Sequence, residues 1–187
     1  MANAAHSLSE TDYKELHNII MQCCQQHGVT LIALELRGSA RRRVVEVYID
    51  KPEGVSLREC ADVSNAIGSA IDRIPAFSST YRLDVSSPGI DRPLVHTWQY
   101  IRNIGRILNI KLANGTTIKG RLSSADNAVL TLSEPYDSSQ SHAHSTPVSR
   151  KIASPPLKQK FGGTTMLSFP LVIPYDTIKQ ATVELEM

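Results

Sequence analysis

His96 lies nine residues after Ser87 and five after Asp91. A hydroxyl, an imidazole and a carboxylate are the parts of a nucleophile activated by a base that a third group orients. Nearness in sequence does not assemble them, and neither a G-x-S-x-G elbow nor an H-E-x-x-H helix accompanies them. A hydrolase built on His96 is therefore the third of three readings. His142 and His144 could share a metal, but two ligands in a serine-rich stretch fall short of a site. Cys23 and Cys24 are neighbours and Cys60 stands apart; without a framework spacing, they indicate a reducing compartment and core packing. P-loop and dinucleotide fingerprints are absent. The expectation is a non-enzyme with no catalytic residue, no cofactor and no metal.

Nucleic-acid binding is the next chemistry to weigh. Arg41, Arg42 and Arg43 form a basic turn, which is more often a solvated turn than a phosphate clamp. The net charge of +2 is mild, but it is unevenly spread. Residues 1–93 hold 10 Lys/Arg against 12 Asp/Glu, and residues 94–187 hold 10 against 6, so the second half is net +4. Aromatic platforms for bases are scarce, with Trp98 the one tryptophan.

The elements that must position these residues follow from periodicity. Tyr13, Leu16, Ile20, Cys23 and His27 recur at helical spacing, with Gly28 as a stop, so His17 and His27 belong to a helix that covers a sheet. Val29 to Leu36 and then Val45, Val47 and Ile49 read as strands of an antiparallel hairpin. Ser56 and Glu59 form a capping box, and Leu57, Cys60, Ser64, Ile67 and Ile71 make the apolar stripe of a second helix. In the third strand Tyr81, Leu83 and Val85 point inward. The order α-β-β-α-β predicts two helices on one face of a three-stranded sheet.

A segment dense with conformational instruction follows, "DVSSPGIDRPLVH" over 84–96. Ser87 and Arg92 each precede a proline and are held extended. Pro88-Gly89 suits the centre of a type II turn with Gly89 at positive φ, and Ile90 is its single apolar anchor. This is a shaped joint, and the boundary between domains falls within it.

Beyond it, one or two helical turns run to Gly105, and then the period becomes two. Asn114-Gly115 signals a hairpin, Gly120 a bend in a small sheet, and the tail gives a strand, a turn around Tyr175–Ile178 and a last strand. Five short strands predict a small SH3-like or Sm-like barrel. The fold class expected is α+β, with an N-terminal domain over 1–90 and a barrel domain over 91–187. Residues 135–166, rich in Ser, Pro and His, read as an exposed, largely mobile inserted loop. No apolar run approaches the roughly 20 residues of a membrane helix, and the N-terminus has no secretory pattern; a cytoplasmic location is expected.

Two partial likenesses point to RNA. The first unit resembles half of a KH arrangement, but lacks the G-x-x-G clamp. The stretch "IKLANGTTIKGRLSSADNAVLTL", with its Asp126-Asn127 loop, looks like the first Sm motif, but the second has no counterpart. A wider resemblance covers most of 12–134 and 167–185. "VEVYIDKPEGVSLRECADVSNAI", "YRLDVSSPGIDRPL" and "IPYDTIKQATV" resemble the RimP-type bacterial ribosome maturation factors. The resemblance implies a two-domain, non-enzymatic factor that binds the immature small ribosomal subunit. It would promote late assembly by helping small-subunit ribosomal protein twelve to join, acting as a monomer. Ser86, Ser87, Pro88, Gly89, Asp91, Arg92 and Pro93 match the family's signature and carry over as a candidate interdomain or partner surface. The insertion at 135–166 departs from the family's shorter connection. An Sm-like or KH-like protein acting on free RNA is the alternative.

Overall fold

The computed structural model describes residues 8–39, 42–135, 158–161 and 165–186. The chain divides into two compact units, Met1–Pro88 and Gly89–Met187.

The first unit opens with α1 (Glu10–Gln26), whose N-terminus is capped by the Ser9 hydroxyl accepting the Asp12 N–H. It ends in a Schellman motif. Gly28 takes φ 67°, Val29 N–H donates to Cys24 O and Gly28 N–H to Gln25 O, and Val29 is buried behind the turn. Strands β1 (Thr30–Ser39) and β2 (Arg42–Asp50) are antiparallel, with a register shift between Leu31 and Ala33. Helix α2 (Leu57–Ile71) then crosses over so that β3 (Tyr81–Ser86) lies parallel to β2, giving the sheet order β1-β2-β3. A single 3-10 turn, Pro75–Phe77, lies between them.

Alternation decides which sheet face is covered. Val45, Val47 and Ile49 are fully buried, and Leu34, Leu36, Leu83 and Val85 pack against the same cluster with Leu16, Ile20, Ile67 and Ile71 from the helices. Each fully buried Ile or Val contributes on the order of 2 kcal/mol. The capping box of α2 is present as read, with Glu59 accepting the Ser56 N–H and Ser56 the Glu59 N–H. Its apolar stripe is phased differently from the reading: Leu57 is 91% exposed and Val63 takes the core position. Leu57 is the first helical residue, before the stripe reaches the sheet.

The second unit begins with α3 (Thr97–Arg102), followed by β4 (Ile107–Leu112), β5 (Thr117–Ala125) and β6 (Val129–Pro135). A two-stranded hairpin, β7 (Lys158–Phe161) and β8 (Thr165–Ser168), comes next. Strand β9 (Leu171–Pro174), a 3-10 turn at Tyr175–Thr177 and β10 (Ile178–Val183) complete it. The main sheet has the order β10-β4-β5-β6-β9, all neighbours antiparallel. Its core holds Leu108, Ile110, Ile118, Leu122, Leu130 and Leu132. Among the described residues β9 and β10 share no ladder, so the two edges of the sheet are not joined into a closed barrel.

Two local readings stand and one is corrected. The Asn114-Gly115 turn is a hairpin in which Leu112 O accepts Gly115 N–H and Leu112 N–H reaches Thr116 O, a three-residue loop with glycine at the bulge. At Gly120 the β5–β6 register slips. The stretch read as loop over 135–166 contains β7 and the first half of its partner β8, Thr165–Ser168. The Gly162-Gly163 pair between two short runs was the missed hairpin signal. The rest of that reading, with His142 and His144, falls outside the described residues.

Candidate functional site

The segment from Ser86 to Pro93 is built from both sides of the unit boundary, and each side has its own supports. On the first, the parallel register pairs Tyr48 with Ser86, so Ser86 and Ser87 emerge beside the end of β2, near Asp50. Asp50 is 2% exposed, and its Oδ1 accepts the Lys51 N–H at 2.9 Å. Lys51 Nζ reaches Glu59 at 2.5 Å, and Ser56 donates both its N–H and its hydroxyl to the same carboxylate. These bonds, Lys51 foremost, hold the Glu59 carboxyl down at about 2. The Ser87 N–H is aimed at the Cys60 thiol; burial outweighs that bond and pushes the thiol up. Ser86 and Ser87 are exposed and Pro88 half-buried.

On the other side, Gly89 O accepts the Arg92 N–H at 3.0 Å. The turn therefore runs Gly89-Ile90-Asp91-Arg92, two residues later than a turn centred on Pro88-Gly89. Gly89 is its first residue and is not among the positive-φ glycines, which corrects the type II expectation. What a side chain there would meet is the Asp91 carboxylate, 2.5 Å from an added Cβ. Ile90, expected as an anchor, is 43% exposed. Gly89, Asp91 and Pro93 are exposed and Arg92 half-buried.

The chain is then fastened. Leu94 N–H donates to Ala181 O of β10, and the Tyr100 hydroxyl donates to Leu94 O. Gln99, 2% exposed, accepts the N–H groups of both Val95 and His96. Burial foremost pushes the Tyr100 phenol up to about 12, and its ring meets Tyr175 edge-on at 5.0 Å. Pro93, Leu94, Val95, Tyr100, Tyr175 and Lys179 border a cleft of about 400 Å³. The Tyr175 hydroxyl is buried without a partner among the described residues.

The hydrolase constellation is not assembled. The His96 ring lies flat on Trp98, with 7° between planes and 5.6 Å between centroids, and no carboxylate hydrogen-bonds to it among the described residues. Arg43 donates to Ala76 O and lies over the Phe77 ring, a structural role. Arg42 is exposed at the strand start, and Arg41 is outside the described residues. The Asp126 carboxylate accepts the Ala128 and Val129 N–H groups, which lowers its pKa and shapes the β5–β6 turn. His27 Nδ1 lies 2.9 Å from Cys23 O at the end of α1. Cys23, Cys24 and Cys60 are free and buried; among the described residues no group of three or more His, Cys, Asp or Glu could hold a metal. The Gln99 clasp and the Lys51–Glu59 pair were not read from the sequence. Their only signals were Gln99 three residues after His96 and a lysine ahead of a capping box.

A sheet covered by two helices on one face is continued through a proline-framed turn into a second, β-rich unit. Residues 19–91 match the family model of the RimP N-terminal domain. That match supports the RimP family for this part of the chain.

Proposed function

We propose that this protein is a ribosome maturation factor that binds the immature small ribosomal subunit and promotes its late assembly without catalysis. The observation that carries the reading is the match to the RimP N-terminal domain over 19–91, which ends inside the turn at Asp91. Its domains are 1–90 and 91–187, the second an SH3-like barrel. The slip at Gly120 and the 3-10 turn joining β9 to β10 support the curl such a barrel needs. Ser86, Ser87, Pro88, Gly89, Asp91, Arg92 and Pro93 form the partner surface, five of them exposed. A connection with few backbone states loses less entropy when both units engage one partner. The partners are rRNA and small-subunit ribosomal protein twelve, met by a cytoplasmic monomer that needs neither nucleotide nor metal. No helix among the described residues is long and apolar enough to cross a membrane.

The test is competition sedimentation of the full chain with immature small subunits against a short unstructured RNA, at two salt concentrations. Binding to a free single strand through phosphates weakens with a log–log slope near −0.7 per neutralised phosphate. A mild charge and few aromatics predict that the subunits win clearly. Equal displacement by the short RNA would put the Sm-like reading first.

A further inference from the structure

Residues 92–125 hold six Lys/Arg and no Asp or Glu, and Arg106, Lys119 and Arg121 among them are paired with Glu134, Glu184 and Glu186 from later in the chain. Within this acid-free stretch His96, Trp98 and Arg102 form a short ladder of flat groups. The Arg102 guanidinium carbon lies 5.4 Å from the Trp98 ring centre, and His96 lies nearly parallel to the same ring. Flat groups in contact are separated by roughly 3.5 Å. Ring centroids 5.6 Å apart therefore imply a sideways slip of roughly 4 Å, the offset arrangement that aromatic pairs favour. The two rings overlap only in part, so neither covers the other's face. His96 and Trp98 are half-buried and Arg102 is exposed.

The ladder stands on a rigid base. Trp98 and Arg102 are four residues apart and share a helix face, while Gln99 and Tyr100 are buried behind them. Gln99 holds the backbone ahead of the ladder by accepting two N–H groups, and Asn103 Nδ2 donates to Gln99 O at its end. Little rotamer freedom remains to be lost when a flat ligand is added.

We propose that His96, Trp98 and Arg102 are a stacking platform for one unpaired base of RNA. Every base has a π-face that stacks on an aromatic ring or guanidinium plane, and the Arg102 guanidinium adds a positive charge beside the base. The base must be unpaired, because a paired one has both faces covered by its neighbours. One platform grips one base, so an isolated strand binds weakly. The inference rests on the proposed function only for the source of that base, which would be rRNA.

Trp98 is the chain's one tryptophan, so its fluorescence reports on the platform directly. The full chain is titrated with oligo(A) and oligo(U) strands of about ten nucleotides, with an RNA duplex of equal length, and with a proline-rich peptide. Saturable quenching by the single strands, well ahead of the duplex, is expected. His96→Ala and Arg102→Gln keep the reporter and should each weaken that quenching about five- to tenfold, with an unchanged circular dichroism spectrum showing that the fold survives. Equal quenching by the duplex, quenching by the peptide alone, or full strength in both variants would overturn the platform. Co-sedimentation with subunits but no quenching by single strands removes the platform and leaves the assembly-factor reading intact. Quenching without subunit preference does the reverse.

Discussion

Gly120 sits in β5 with β6 packed against its Cα, and replacing it with alanine gives a prediction with a worked sign. A Cβ on Gly120 would lie 2.8 Å from Glu134 O, 3.0 Å from Leu132 Cδ1 and 3.3 Å from Leu132 Cβ. Leu132 could turn its methyl aside only into a core where it is already fully buried. Glu134 O is backbone and moves only with its strand. Overpacking of this kind costs about 1–3 kcal/mol. Against it stands the reduced freedom of the unfolded chain, which favours alanine by about 0.4–1 kcal/mol where the backbone suits it. The clash wins, and a net loss of about 1–2 kcal/mol is expected. The assay can separate the units, because Trp98 belongs to the second while Cys23, Cys24 and Cys60 all lie in the first. With a slope of about 1–2 kcal/mol per molar urea, the Trp98-monitored midpoint should fall by roughly 1 M. Protection of the buried thiols from a thiol reagent should not change. An unmoved Trp98 midpoint would refute the close-approach argument, and a loss of thiol protection would show that the effect is not confined to the second unit.

Three further outcomes are expected. Gly68→Ala should stabilise the first unit by about 0.5–1 kcal/mol, since Gly68 lies inside α2 and an added Cβ meets only Leu83 Cδ2 at 3.8 Å; a lower urea midpoint by far-UV circular dichroism, dominated by α1 and α2, would contradict it. Glu59 is held at about 2, below its ordinary 4.5, so its contribution is present above that ordinary value and is lost as pH falls toward 2. The acid sensitivity of the same midpoint should therefore diminish in Glu59→Gln, and an equal slope in both proteins would count against the ion pair. Gly89→Ala should change stability by no more than about 0.5 kcal/mol, because only the swinging tip of Asp91 stands in the way; a loss above 1 kcal/mol, read from the Trp98 midpoint, would mean that the turn needs glycine after all.

What the amino-acid order determined by itself was local. The capping box of α2, the glycine stop of α1, the Asn114-Gly115 hairpin and the alternation of Val45, Val47 and Ile49 each depend on residues within a turn or two of one another. Their hydrogen-bonding and steric rules act over that range. The segment "VSSPGIDRPL" announced a turn for the same reason, but the structure sets that turn two residues later, at Gly89–Arg92, and without a positive φ at Gly89. Whether Gly89 or Gly120 faced the tighter constraint was not legible, because that depends on what another segment brings near. Asp91 curls back on Gly89 with room to move, whereas β6 presses a carbonyl against Gly120. Only the tertiary structure placed β3 parallel to β2, bringing Ser86 and Ser87 to the end of the sheet that holds Asp50 and α2's first turn. It also set His96 flat on Trp98 rather than against a carboxylate. Burying Gln99 and Tyr100 against the sheet rotates the other face of α3 outward, and a one-dimensional pattern of six residues is too short to specify that rotation.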